Sequence, residues 1–120
     1  MANSFDVIRL LEAGIKAEGI RQSTIASNIA NIETPGYRRL DVKFEQLLSK
    51  AIDSSDPKEA AKIEPEVFQP LTTPLRSNGN DVNLEAEIGE MLKNSLRHAA
   101  YTRLLRRKFA QMETAIGVQG

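Results

Sequence analysis

A chain of 120 residues is one domain at most, and its 16 Lys and Arg against 16 Asp and Glu leave no net charge. That balance argues against retention on nucleic acid by bulk charge, which shows as a basic excess. Apolar residues make up 41% and aromatics 5%, with no Trp and no Cys, so a core built by the chain alone is thin, and disulfide, thiolate and Cys-ligated metal chemistry are excluded.

The N-terminal segment, 1–32, reads as a long helix from residue 4 onward. Asn3 or Ser4 is placed to cap it, and Asp6 falls in the first turn, where the helix dipole favours an acid. Ile8, Leu11, Ile15, Ile25, Ile29 and Ile32 fall on a seven-residue ladder, broken at Glu18 and Gln22. A period of 3.5 residues suits a supercoiled partner helix. Gly14 and Gly19 each cost about 1 kcal/mol relative to Ala, so this helix is expected to be marginal until packed. The run from Phe5 to Glu12 is broken by charge every few residues and does not make the apolar core of a signal peptide. No apolar stretch approaches the roughly 20 residues that span a bilayer. The expectation is therefore a chain that is not an integral membrane protein and leaves the cytoplasm, if at all, without a cleaved signal.

The middle segment, 33–82, opens with a turn. Asn28 and Asn31 put short amides on the last helical turn, where they can bond free carbonyls or a neighbouring chain. Pro35 disfavours helix at Thr34, and Gly36 permits an open backbone. Asn28, Asn31, Thr34, Pro35, Gly36 and Tyr37 are thus expected to shape a joint between the helix and an extended arm. In that arm Leu40, Val42 and Phe44 alternate with Arg39, Asp41 and Lys43, a period of two. Glu45 to Ile52 suits a short helix. From Ser49 to Pro74 the chain is polar and broken by Pro57, Pro65, Pro70 and Pro74. It reads as loop, partly disordered in the free protein, with one short strand around Val67 and Phe68. Ser77 to Asp81 is a turn, with Gly79 free to take a positive φ.

The last segment, 83–117, reads as a second long helix. Asn83 or Asp81 caps it, and Gly117 is placed to stop it. Leu96, Leu105, Phe109 and Met112 are expected to pack against the opposing helix, whose bundle-facing residues are Ile8, Leu11, Ile15, Ile25 and Ile29. Glu85, Glu87 and Glu90 crowd its start, and Arg103, Arg106 and Arg107 occupy its second half. On general grounds such charges form a solvated face; their functional reading is contact between copies, acids meeting bases in staggered stacking along an axis. The fold class is mainly α: two long terminal helices in an elongated, coiled-coil-like hairpin, with a loop-rich middle and a short extended arm, all within a single domain spanning 1–120.

Asn28-Ile29-Ala30-Asn31, then Thr34-Pro35-Gly36-Tyr37, Arg38, Arg39 and Phe44, resembles the N-terminal signature of the bacterial flagellar axial proteins, the rod, hook and hook-associated subunits. A second likeness runs from Asn78-Gly79-Asn80-Asp81-Val82-Asn83-Leu84-Glu85 to Arg107-Lys108-Phe109. With about 40 residues between joint and second helix, the chain looks most like a small rod subunit, since hook and filament members carry large domains there. The resemblance implies a structural subunit of the proximal rod, exported by the flagellar type III apparatus. Its implied partners are copies of itself, other rod proteins and the adaptor at the inner-membrane ring. It implies no cofactor, no catalytic residue, no metal, no small-molecule substrate and no nucleic acid.

Two other readings compete. A helix-turn-helix over Arg21 to Arg39 needs a recognition helix through Pro35-Gly36, which breaks it. A soluble helical adaptor or chaperone, binding a partner helix through an exposed apolar stripe, is the alternative function. His98, the only histidine, has the look of a helix-surface residue, and no triad or phosphate loop accompanies it.

Overall fold

The computed structural model describes residues 4–54 and 56–119, apart from the side chains of residues 4, 57, 61, 118 and 119. Helix α1 runs from Ser4 to Ala30, strand β1 from Asp41 to Lys43, helix α2 from Glu45 to Asp53, helix α3 from Pro57 to Ala61, strand β2 from Glu66 to Phe68 and helix α4 from Leu84 to Gln119. Asn3, the other expected cap of α1, lies outside the described residues. The molecule is long and flat, 66 × 27 × 14 Å along its principal axes.

The two terminal helices pack antiparallel. Asn28 of α1 meets Glu87 of α4, Glu18 meets Asn94 and Arg97, and Gly14 meets Tyr101. This is the expected hairpin, but its seam differs in composition. The ladder puts Ile8 and Ile25 in the interior, while Leu11, Ile15, Ile29 and Ile32 are half-buried. Gln22 is exposed, whereas Glu18, read as an interruption, is fully buried against α4. Gly14 has its reason in packing: a Cβ there would lie 2.5 Å from the Tyr101 ring. A close approach of helix to aromatic ring thus offsets the propensity lost to glycine.

On α4 the expected packing face is only partly on the inside. Leu105 and Met112 are half-buried, but Leu96 is 63% and Phe109 49% exposed. Leu96 lies two residues from Asn94, about 200° round the helix, and Asn94 is the residue that faces α1. The helix also continues through Gly117 to Gln119: a glycine weakens a helix without ending it when no competing turn follows. Asn83 is the cap, its Oδ1 accepting from Ala86 N at 3.0 Å. α1 ends at Ala30, two residues short of the expected end, because Ile32 N turns back to Ile29 O at 3.2 Å.

The arm packs as its alternation foretells. Val42 and Phe44 are buried and Leu40 is half-buried. β1 pairs antiparallel with β2, Val42 opposite Val67, and Lys43 Nζ sits 5.1 Å from the Phe68 ring centre. The short helix expected from Glu45 is α2. The stretch read as mostly loop also holds α3, which packs on α1 and α2 and buries Ala60. Asp56 Oδ1 accepts from Lys58 N at 3.0 Å, and Pro57 takes the first helical position.

Among the described residues, buried polar side chains are as numerous as buried apolar ones. Every buried side-chain nitrogen or oxygen among them has a hydrogen-bond partner. The interior is therefore held in register by polar contacts as much as by apolar area.

Candidate functional site

The densest of these contacts lie where α1 ends, the arm begins and α4 starts. Asn28 is fully buried at their meeting point. Its Nδ2 donates to Leu40 O at 2.9 Å and to Glu87 Oε2 at 3.2 Å. Its Oδ1 accepts from Leu40 N at 2.9 Å and from the Tyr37 hydroxyl at 3.0 Å. One amide so pins the arm backbone, the Tyr37 ring and the second helix to the first.

Asn31 and Thr34 shape the turn itself. Asn31 Nδ2 donates to Ser27 O at 2.9 Å, and Thr34 Oγ1 donates to Asn31 Oδ1 at 3.1 Å. Asn80, buried on the far loop, donates through Nδ2 to Asn31 O and Thr34 O, both at 2.8 Å. Gly36 has φ +76° and donates its N–H to Asn78 O at 2.9 Å. Gly79 has φ +80°, and a Cβ on it would lie 3.4 Å from Gly36 Cα. Two left-handed glycines therefore bring the two turns into contact. Pro35 is exposed. Its backbone restriction, with no side-chain contact required, is what it supplies.

Two buried acids fix the arm's arginines. Asp81 accepts from Arg38 Nε at 3.1 Å and from Arg39 N at 2.5 Å. Glu87 accepts from Arg39 Nε at 2.9 Å. Burial works against the charge of Arg39, yet Glu87 and Asp41 outweigh it and raise its pKa. Glu87 was assigned from the sequence to contacts between copies, and the structure corrects this. Its carboxylate is fully buried and occupied by Asn28 and Arg39 of the same chain. Glu90 is half-buried beside Lys93, while Glu85, Arg103, Arg106 and Arg107 are exposed.

A second cluster sits midway along the helix pair. Glu18 accepts from Arg97 Nε at 2.7 Å, from Asn94 Nδ2 at 3.3 Å and from Arg21 Nη1. Arg21 also holds Glu45 at the start of α2, Nη1 donating to Oε1 at 2.8 Å. The hydrogen bond to Glu45 is the main cause of the raised Arg21 pKa, and its counterpart holds the Glu45 carboxyl below its ordinary value. Tyr101, half-buried over Gly14, is pushed up chiefly by that burial.

The sequence reading missed Glu18, Asn80, Asp81, Asn94 and Arg97. A usable signal was present for Glu18: an acid on a seam position with Arg21 one turn on. For Asn80 the local sign is a turn, its Oδ1 accepting from Val82 N at 2.8 Å; nothing local marks the contacts of its Nδ2, which lie 46 and 49 residues away.

A saturated network of this kind fixes direction. The family model described as flagella basal body rod protein matches residues 8–38, which take in most of α1 and the turn up to Arg38. The chain is 30% identical over 92 residues, 65% of its own length and 69% of the other, to the flagellar basal body rod protein FlgB of Buchnera aphidicola subsp. Acyrthosiphon pisum. The chain belongs to the FlgB family of flagellar basal body rod proteins. It is likewise similar to FlgB of Bacillus subtilis, 28% identical over 122 residues, 91% of this chain and 92% of that one. FlgB of Aeromonas hydrophila is 27% identical over 128 residues, 97% of each chain. The chain is thus a structural subunit of the flagellar basal-body rod, and it assembles with other rod proteins. Among the described residues no helix is long and apolar enough to cross a membrane.

Proposed function

We propose that this FlgB-family subunit builds the proximal rod, next to the inner-membrane ring, as part of the drive shaft around the export channel. It crosses the inner membrane through the flagellar type III export apparatus and assembles on the periplasmic side. Its neighbours are copies of itself, the other rod subunits and the adaptor at the rod base. The whole chain, 1–120, acts as one subunit domain. One observation carries the reading. Asn28 ties helix, arm and second helix together at a single point of a molecule 66 Å long. A shaft subunit needs its arm set at a fixed angle to its long axis, so that each copy presents the same contact to the next. Asn31, Thr34, Pro35, Gly36 and Tyr37 complete that joint. Ile8, Leu11, Ile15, Ile25, Ile29, Leu105 and Met112 hold the helix pair. Leu96 and Phe109, exposed in the single chain, are offered to neighbours, with Glu85, Arg103, Arg106 and Arg107 setting register. The core is completed where a neighbour packs on these exposed apolar side chains.

The test is electron microscopy of basal bodies from a strain lacking the gene, beside its parent. Membrane rings without rods are expected. Complete rods and hooks in the deletion strain would overturn the reading.

A further inference from the structure

The side of α4 turned away from α1 carries a stripe that none of the other described segments covers. Ile88, Leu92 and Leu96 are 53%, 63% and 63% exposed, and Ser95 and Ala99 are exposed with them. Leu92, Leu96 and Ala99 each lie two residues from Asn94 or Tyr101, about 200° round the helix from the α1 seam. Their spacing of three and four residues makes the stripe continuous. Glu85 closes it at one end, and Arg103 and Arg106 close it at the other; all three are exposed and make no ion pair among the described residues. A shallow groove lined by His98, Ala99, Thr102, Arg103 and Arg106 prolongs it toward the basic end.

We infer that this face binds the same face of a second copy in antiparallel orientation, so that the free chain is a two-fold symmetric dimer through α4. Charge decides the direction. Laid parallel in register, two copies set Glu85 on Glu85 and Arg106 on Arg106, which is repulsive at both ends. Antiparallel pairing about a two-fold axis between Ser95 and Leu96 sets Leu92 against Ala99, Ile88 along the aliphatic stem of Arg103, and Glu85 against Arg106. The symmetry makes each contact twice, giving an apolar centre with an ion pair at either rim. The small side chains of Ser95 and Ala99 at the centre permit close approach of the axes. The paired segment, 85–106, is roughly 33 Å long at 1.5 Å per residue. Each α1 lies on the outer side of its own α4, so neither obstructs the contact.

This association concerns the free chain and stands apart from the rod reading. It has a consequence for that reading: the dimer covers a stripe that open assembly leaves available, so the two states compete. Residues 18 apart also share a face, five turns on. A parallel pair staggered by that distance sets Glu85 against Arg103, but it leaves half of each stripe free and grows without closing.

The test is sedimentation equilibrium of the purified full chain over two decades of concentration. A dimer limit is expected. Glu85→Arg and Arg106→Glu should each weaken dimerisation at least tenfold, and the double reversal should restore it. These sites are on the surface, and unchanged helical circular dichroism excludes misfolding as the cause. Ser95→Cys, in a chain otherwise without cysteine, should form an intermolecular disulfide with its own mate. A monomer at every concentration overturns the proposal. So does growth past the dimer, or a dimer indifferent to the charge reversals.

Discussion

The two ends of the helix pair are built on opposite terms. At the joint, α1, the arm, the 77–82 loop and the start of α4 are cross-linked by Asn28, Asn80, Asp81 and Glu87, all buried and all partnered. At the other end, α4 carries Leu104, Phe109 and Ile116 exposed. Between it and α1 lies a shallow apolar cleft lined by Val7, Leu11, Leu104 and the Lys108 stem. The first end sets a shape within one chain. The second leaves apolar surface for something outside it. Stability and assembly are therefore assigned to different residues, and substitutions can separate them.

The largest effect is expected at the hub. Asn28→Asp replaces the Nδ2 donor with an oxygen 3.2 Å from the buried Glu87 carboxylate and 2.9 Å from Leu40 O. Two buried acceptors then face a third, at a cost of about 3 kcal/mol or more. That is a large part of the stability of a domain this size. Urea unfolding should show the midpoint falling sharply. An unchanged midpoint would mean that the joint is not what holds this end.

The turns come next. Ala at Gly36 or at Gly79 forces a left-handed residue with a Cβ, about 1–2 kcal/mol each. A Cβ on Gly79 would lie 3.4 Å from Gly36 Cα, an ordinary contact, and one on Gly36 would meet nothing within 4 Å, so the two losses should be similar. Thermal unfolding should show both variants melting below the parent. A parent-like melting temperature in either would mean that its turn does not need the left-handed backbone.

Phe109→Ser sharpens the contrast from the other side. The ring is 49% exposed, so stability of the free chain should fall by no more than about 1 kcal/mol, well short of the loss at Asn28. Swimming motility should nevertheless fall, because a neighbouring subunit loses its contact. A drop in free-chain stability comparable to that of Asn28→Asp would erase the division between the two ends.

How much of this was readable follows the same division. The elements came through because their causes are local: the apolar ladder from Ile8 to Ile32, the alternation Leu40, Val42, Phe44, the stop at Pro35-Gly36, the cap at Asn83. α3 was readable in principle from Asp56-Pro57, but five residues broken off by Pro65 do not outweigh a polar, proline-rich stretch. The seam was not readable, because an a/d ladder is judged by its apolar members and the structure buries Glu18 there with Arg97 and Asn94, 79 and 76 residues away. The joint residues Asn28 to Tyr37 were visible as a joint; their partners Asn80 and Glu87 were not, since a network of long-range hydrogen bonds leaves no periodicity. Glu87 shows the error such reading invites. An acid in the first turn of a helix suggests a surface role, and only the fold reveals Arg39 and Asn28 beside it.

The smallest effect lies midway between the ends, where Arg21 bridges Glu18 and Glu45. The Arg21 guanidinium holds the Glu45 carboxyl below its ordinary value of 4.5. A carboxyl whose pKa is lower in the folded chain than in the unfolded one stabilises the fold when charged. That contribution is fully present above the ordinary value and is lost as pH falls through the depressed one. Glu45→Gln should therefore be less stable than the parent near neutrality, and the gap should close in acid, below about pH 4. The Glu45 side chain is nearly half exposed, so solvent screening keeps the gap below about 1 kcal/mol. Paired urea titrations of parent and variant across that range measure it, since groups common to both cancel. A gap that persists undiminished at low pH would assign Glu45 a packing role in α2 rather than a charge role at the centre of the helix pair.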